Sequence, residues 1–331
     1  MKKLAIGVDI GGINTAFGLV DENGDLYAES VISTKKYPYV DDYPAYVEDL
    51  CDSMRALAQS LSFEYELTGI GIGAPNANYH KGTIETPANL WKFKEGDPNP
   101  DESRRVFPLA DDISKCFGGV KTLITNDANA ATIGEMIYGN AKGMRDFIMI
   151  TLGTGLGSGF VANGEMVYGH DGFAGEFGHI PFFDNEIICS CGKKGCLETE
   201  VSGIAIEDKM CHLIQKGVNT ILKEKYAQQK TIHIDDIITA AKNDDNLSIE
   251  LIEEAGEKVG KAVAFLINTF NPETVIVGGN LAAAGDYIML PLKSATNKYS
   301  LNLVYKDTKF RVSKMTENAN AWGVAMLIRN K

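Results

Sequence analysis

The sequence predicts an α/β protein of two similar lobes with a cleft between them, on three observations. The chain has 331 residues, roughly twice the length of an ordinary domain. Short apolar strands alternate with helical periodicity and glycine-rich turns. One plan also occurs twice: IGVDIGGINTAFGLVDENGDL at 6–26 and IMITLGTGLGSGFVANGEMV at 148–167 each read strand, tight glycine turn, strand, Asn-Gly turn, strand. Gly11 aligns with Gly153 and Gly24 with Gly164, which favours a duplicated βββα unit.

Composition narrows the function. Hydrophobic residues at 44% and charged residues at 23% describe a globular chain able to bury a core, not a disordered one. A net charge of −12, with no Lys/Arg cluster, argues against a nucleic-acid partner. The opening MKKLAIGVDIGG breaks into Gly and Asp too soon for a signal segment, and no run of 18 apolar residues follows, so the expectation is a cytoplasmic protein without a membrane span. Six cysteines without a secretory signal do not read as a disulfide framework. Cys51, Cys116 and Cys211 sit singly, whereas Cys189, Cys191 and Cys196 crowd together.

Taken in order, KLAIGVDI, TAFGLVD and DLYAESVI form a meander over 3–32, with turns at Gly11-Gly12 and at Glu22-Asn23-Gly24. Val47, Leu50, Met54, Leu57 and Leu61 recur at helical spacing over about 43–60, and GIGIGA at 69–74 is a buried strand. Strand, helix, strand implies parallel pairing. The polar segment 93–105 (FKEGDPNPDESRR) reads as an exposed insertion or lid, having prolines and no periodicity. VKTLIT at 120–125 is a strand running into a helix, DFIMITLG the next strand, 246–270 a long helix, TVIVGG a buried strand, and Ala319–Ile328 a closing helix. The expected division is a first lobe over 1–118, with a C-terminal helix 319–331 packing back on it, and a second over 119–318.

Several turns offer chemistry. Asp9, Gly11 and Gly12 end the first strand, where missing β-carbons admit an anion to backbone N–H groups and a carboxylate could hold hydrated Mg²⁺. The matching turn, Gly153-Thr154-Gly155-Leu156-Gly157-Ser158-Gly159, carries more glycine than a plain hairpin tolerates and reads as a phosphate cradle. Gly278-Gly279-Asn280 ends a third strand and suits an α-phosphate or adenosine. Together the three turns argue for ATP. Asp127, in NDANAA at 126–131, stands at a strand end as either a helix cap or a carboxylate able to take a proton from a hydroxyl. His179, Cys189, Cys191 and Cys196, spaced H-x9-C-x-C-x4-C, make a closed tetrahedral set for a structural Zn²⁺. Glu176 and Glu198 flank that loop, where hydrogen bonds to a polyol become plausible.

DIGG at 9–12, NDANAA at 126–131, TLGTGLGSG at 151–159, GEFGH at 175–179, CSCGKKGCLE at 189–198 and VIVGGN at 275–280 together resemble the ROK family of sugar kinases and repressors across nearly the whole chain. The resemblance implies the two-lobed actin-like ATPase fold, of ribonuclease H-like type, with an interlobe cleft and a zinc loop over 179–196. It implies Asp127 as the base towards a sugar 6-hydroxyl, and Asn126, Glu176, His179 and Glu198 as groups on sugar hydroxyls, with His179 serving the metal as well. Asn89, in TPANLW, matches a sugar-contacting region in altered order. Gly11, Gly12, Gly153, Thr154 and Gly155 would surround the phosphates of Mg²⁺-ATP.

The resemblance further implies a dimer or tetramer. Repressors of the family carry an N-terminal helix-turn-helix, for which a first strand at residue 3 leaves no room. Three positions depart from the family pattern: Ile13 and Asn14 stand where Thr and Lys are usual, and Asn76 replaces a glycine, a mild change because Asn accepts positive φ. The resulting expectation is an ATP-dependent glucokinase, with an N-acetylglucosamine or N-acetylmannosamine kinase, or a weakly catalytic sugar sensor, as alternatives.

Overall fold

A computed structural model describes residues 1–87 and 90–315. The expected closing helix at 319–328 and Asn89 lie outside the described residues. The chain divides into two compact units, the first built from 1–143 and 166–174 and the second from 144–165 and 175–314.

The first unit opens with strands β1 (Lys2–Ile10), β2 (Asn14–Val20) and β3 (Leu26–Ser33), then helix α1 (Tyr43–Gln59) and strand β4 (Tyr65–Gly73). A short three-stranded sheet follows, made of β5 (Ala77–Asn78), β6 (Thr83–Glu85) and β7 (Val106–Phe107). Helix α2 (Leu109–Cys116), strand β8 (Thr122–Thr125) and helix α3 (Asp127–Ile137) complete it. The main sheet has the order β3-β2-β1-β4-β8. Its first three strands pair antiparallel, while β4 runs parallel to both β1 and β8. Leu4, Ile6, Val8, Ile70, Ile72 and Ile124 pack with Leu50, Met54 and Trp91 into one core, an arrangement whose burial drives this unit's folding.

The division falls later than the expected boundary after residue 118, because β8 joins the first sheet: Ile70, Ile72 and Gly73 of β4 face Thr122, Ile124 and Thr125. Segment 93–105 is mostly exposed, as expected. It is tied back to Asp41 by Lys94 at 3.6 Å and Arg104 at 3.2 Å.

The second unit repeats the topology. Strands β9 (Phe147–Leu152), β10 (Leu156–Ala162) and β11 (Glu165–Met166) are followed by helices α4 (Glu198–Val201), α5 (Gly203–Gln215), α6 (Lys223–Gln229), α7 (Ile234–Lys242) and α8 (Asn246–Phe270). Strand β12 (Thr274–Gly278), helices α9 (Asp286–Tyr299) and α10 (Asn302–Tyr305) and strand β13 (Lys309–Val312) end the description. The sheet order is β11-β10-β9-β12-β13, matching the first sheet strand for strand, with β9 antiparallel to β10 and parallel to β12. The duplicated hairpins read from the sequence are therefore duplicated sheets. Val275, Ile276 and Val277 are fully buried with Val259, Val263, Ile267 and Leu292 of α8 and α9. Among the described residues no helix is long and apolar enough to cross a membrane.

Candidate functional site

In the first unit the ends of three parallel strands form a row: Asp9 lies opposite Gly73, and Gly73 opposite Thr125. Ligands bind open α/β sheets at such carboxyl ends. Gly11 and Gly12 follow directly on β1, and the turn closes through Gly11 N–H on the Asn14 carbonyl at 2.9 Å. Ile13, on that turn, leaves its side chain 58% exposed, while its carbonyl accepts the Lys35 N–H. Most of Ile13 is therefore open to solvent, where a smaller polar side chain is usually tolerated.

The end of β8 leads into α3, and here the cap is Asn126 rather than Asp127. The Asn126 side-chain oxygen accepts the Asn129 N–H at 2.7 Å. Asp127 is the first helical residue, exposed, with one carboxylate oxygen on the Ala128 N–H at 2.8 Å. Asn76, beyond β4, has φ of 53°, the left-handed conformation expected where a glycine is replaced by Asn.

The second unit gathers the other candidates. Gly153, Thr154 and Gly155 turn β9 into β10, and Thr154 is exposed. Gly278 pairs with Thr151, so the turn after β12 abuts the turn after β9. Gly279 is required there: its φ is +84°, and a β-carbon would stand 2.3 Å from the Leu152 carbonyl oxygen. The chain then enters a 3-10 turn, Asn280–Ala284, before α9, so the strand opens onto a tight turn instead of directly onto an α-helix.

His179, Cys189, Cys191 and Cys196 present donor atoms within 4.8 Å of one another. His179 Nδ1 faces the thiols, 3.5 Å from Cys189 Sγ, and its Nε2 is 3.8 Å from a Glu176 carboxylate oxygen. One ring thus meets the cluster on one edge and an exposed acid on the other. Gly195 makes the loop possible, since its φ is +73° and any β-carbon would meet the Phe183 carbonyl oxygen at 2.1 Å. Burial and the neighbouring Cys191 and Cys189 push the Cys196 thiol up to about 12. For Cys191, burial is outweighed by hydrogen bonds from the Lys193 backbone and the adjacent thiols, which hold it below its ordinary value. Three thiols and one imidazole, with no open position, are donors that suit a tetrahedral metal.

Glu198 opens α4 two residues beyond Cys196. Its Oε2 accepts the Leu156 N–H at 2.8 Å and its Oε1 lies 3.7 Å from Cys189 Sγ. Sequence reasoning missed this bond, because nothing local signals a carboxylate on a backbone amide 42 positions away. It also missed Gly203, whose N–H donates to the Gly153 carbonyl at 2.7 Å. Nor are Cys51 and Cys116 solitary: burial, then the neighbouring Cys116 thiol, pushes the Cys51 thiol up.

Known proteins resemble this chain along most of its length. The chain is 30% identical over 330 residues to a glucokinase of Halalkalibacterium halodurans, covering 98% of this chain and 95% of that one. It is 32% identical over 270 residues to a xylose repressor of Caldicellulosiruptor bescii, covering 79% of this chain and 63% of that one. The crystal structure of a ROK family glucokinase from Streptomyces griseus, in complex with glucose and AMPPNP, superposes with a TM-score of 0.77 at 28% identity, covering 99% of this chain and all of that one. A profile of the ROK family matches residues 5–331, a span that holds both repeated sheets, the strand-end carboxylates and the Cys/His cluster, and the chain belongs to that family.

Proposed function

We propose that this chain is an ATP-dependent hexose kinase that phosphorylates the 6-hydroxyl of glucose. The observation that carries the reading is Asp127, an exposed carboxylate on the first turn of α3 at the carboxyl ends of parallel strands, in a chain alike from end to end to proteins named glucokinase. In this reading Asp127 takes the proton of the sugar hydroxyl. Asn126, Glu176, His179 and Glu198 hydrogen-bond the other hydroxyls, and so does Asn89. Asn126 commits its carbonyl oxygen to the cap, so its amide hydrogens are what it offers a sugar.

Gly11, Gly12, Gly153, Thr154 and Gly155 surround the phosphates of ATP, Gly278 and Gly279 its nucleoside side, and Asp9 orients the hydrated Mg²⁺ that neutralises phosphate charge. Phosphoryl transfer has a loose transition state, so positioning and charge stabilisation outweigh the strength of the base. His179, Cys189, Cys191 and Cys196 hold a structural Zn²⁺, which supplies rigidity to the loop and no chemistry. The chain works in the cytoplasm, where cysteines stay reduced and available to a metal.

Asp127→Asn tests the reading. Turnover should fall by about 10²- to 10⁴-fold, the range of general-base catalysis, while calorimetric sugar binding persists. Near-normal turnover would move the base elsewhere. A second reading, a sugar-responsive regulator with weak catalysis, is favoured by Ile13 at the phosphate turn and by likeness to a xylose repressor; such a chain would bind sugar without releasing ADP. Assay of N-acetylglucosamine and N-acetylmannosamine beside glucose distinguishes the remaining alternative, since tenfold preference for either would make the chain an N-acetylhexosamine kinase.

A further inference from the structure

The metal loop and the β9–β10 turn are one hydrogen-bonded assembly. Glu198 Oε2 accepts the Leu156 N–H at 2.8 Å, and it stands 2.4 Å from where a β-carbon of residue 155 would be. On the other side of the turn, Gly203 N–H donates to the Gly153 carbonyl at 2.7 Å. Gly178, between the metal ligand His179 and Glu176, comes so close that a β-carbon would meet the Leu156 carbonyl oxygen at 2.4 Å. The turn is thus bonded at the Gly153 carbonyl and at the Leu156 N–H, and it packs closely on Gly178 beside the metal ligand His179.

We infer that Glu198 is a positioning residue for the β9–β10 turn, acting through the Leu156 amide, so that the folded metal loop sets the backbone geometry of the turn that receives nucleotide phosphate. The role is additional to the sugar contact that Glu198 is assigned above, and the identity of the ligand rests on the kinase reading. Two geometric facts support it. Glu198 follows Cys196 by two residues and its Oε1 sits against Cys189 Sγ at 3.7 Å, so ordering of the cluster fixes where the carboxylate points. The bond is also to backbone: within the turn the Gly153 N–H is closed on the Gly155 carbonyl at 3.0 Å, and the Leu156 N–H is held by the Glu198 carboxylate. Glu200, two residues on, is anchored to Lys258 at 2.6 Å and to Asn185 at 2.6 Å, which keeps the short helix α4 from drifting.

The test separates reach from charge. Glu198→Gln keeps an oxygen at the same distance, and Glu198→Asp keeps the charge but falls one methylene short. Each purified full-length variant is checked for metal content, then for Mg²⁺-AMPPNP binding by calorimetry without sugar, and for hydrogen exchange of a peptide covering 152–159. A positioning role predicts that Gln stays within about threefold of wild type, while Asp loses about tenfold in nucleotide affinity, the scale of one hydrogen bond to a charged group. Exchange at 152–159 speeds up in Asp alone. Unchanged nucleotide affinity and unchanged exchange in Asp, with metal retained, would overturn the inference and leave Glu198 a sugar ligand only. If wild type binds no AMPPNP while exchange still rises in Asp, the positioning role stands and the kinase reading falls.

Discussion

Asn126 and Asp127 are adjacent, both polar and both suited to begin a helix, yet the structure divides their tasks. Asn126 caps α3 and Asp127 is left exposed on its first turn. Local sequence does not choose between them, because either side chain can accept an N–H two or three residues on. Asn76 was more legible, since Asn in place of glycine at a turn predicts positive φ, and 53° is found. Ile13 belongs to the same scale. It is 58% exposed, so Ile13→Thr should leave stability within about 0.5 kcal/mol. If the β1–β2 turn receives ATP phosphate, the new hydroxyl should lower the KM for ATP more than that for glucose, with about 1.5–3 kcal/mol as the upper bound for a hydrogen bond to a charged group. Steady-state kinetics with each substrate varied in turn checks this, and an equal or opposite change in the two constants would place the phosphates elsewhere.

At the scale of elements, the Cys/His loop and α8 show two ways of fixing a segment. The loop spacing is readable because few uses other than a metal gather three thiols and an imidazole at turn-forming glycines, and the structure brings the four donors within 4.8 Å. The sequence does not reveal what the loop grips, since the partners of Glu198 and Gly178 lie on β10. Elemental analysis of the purified chain should find one zinc per molecule. Cys191→Ser, or chelation, should lower the unfolding midpoint by at least about 2–4 °C, the shift for each kcal/mol lost in a unit of this size; a folded, metal-free chain with an unchanged midpoint would contradict it.

Helix α8 buries an apolar face along its length, and its start is fixed by hydrogen bonds. Asp245 caps it through Ser248 and also accepts from Thr220 and the Ile221 N–H. Burial raises its pKa, but those hydrogen bonds outweigh burial and hold the carboxyl below its ordinary 3.8. A lowered folded-state pKa contributes stability that is present above the ordinary value and lost as pH falls through the lowered one. Asp245→Ala should therefore cost about 1–2 kcal/mol at neutral pH. The gap from wild type should narrow at about pH 3, as read by denaturant unfolding at the two pH values.

For the whole molecule, the duplication was visible in advance because glycine turns and Asn-Gly hairpins leave local marks, and Gly11 with Gly153 marks the same corner of two sheets of identical order. The boundary after 118 was not visible. Whether β8 extends the first sheet or begins the second depends on parallel pairing with β4, a contact between strands about 50 residues apart that no local pattern encodes. The most direct measurement is ADP release by the purified chain given Mg²⁺-ATP and glucose, with sugar omitted as the control. The account predicts glucose-dependent release of one ADP per glucose 6-phosphate formed, with glucose giving the highest kcat/KM of a hexose panel. Tight glucose binding with no ADP release above the sugar-free rate would contradict it.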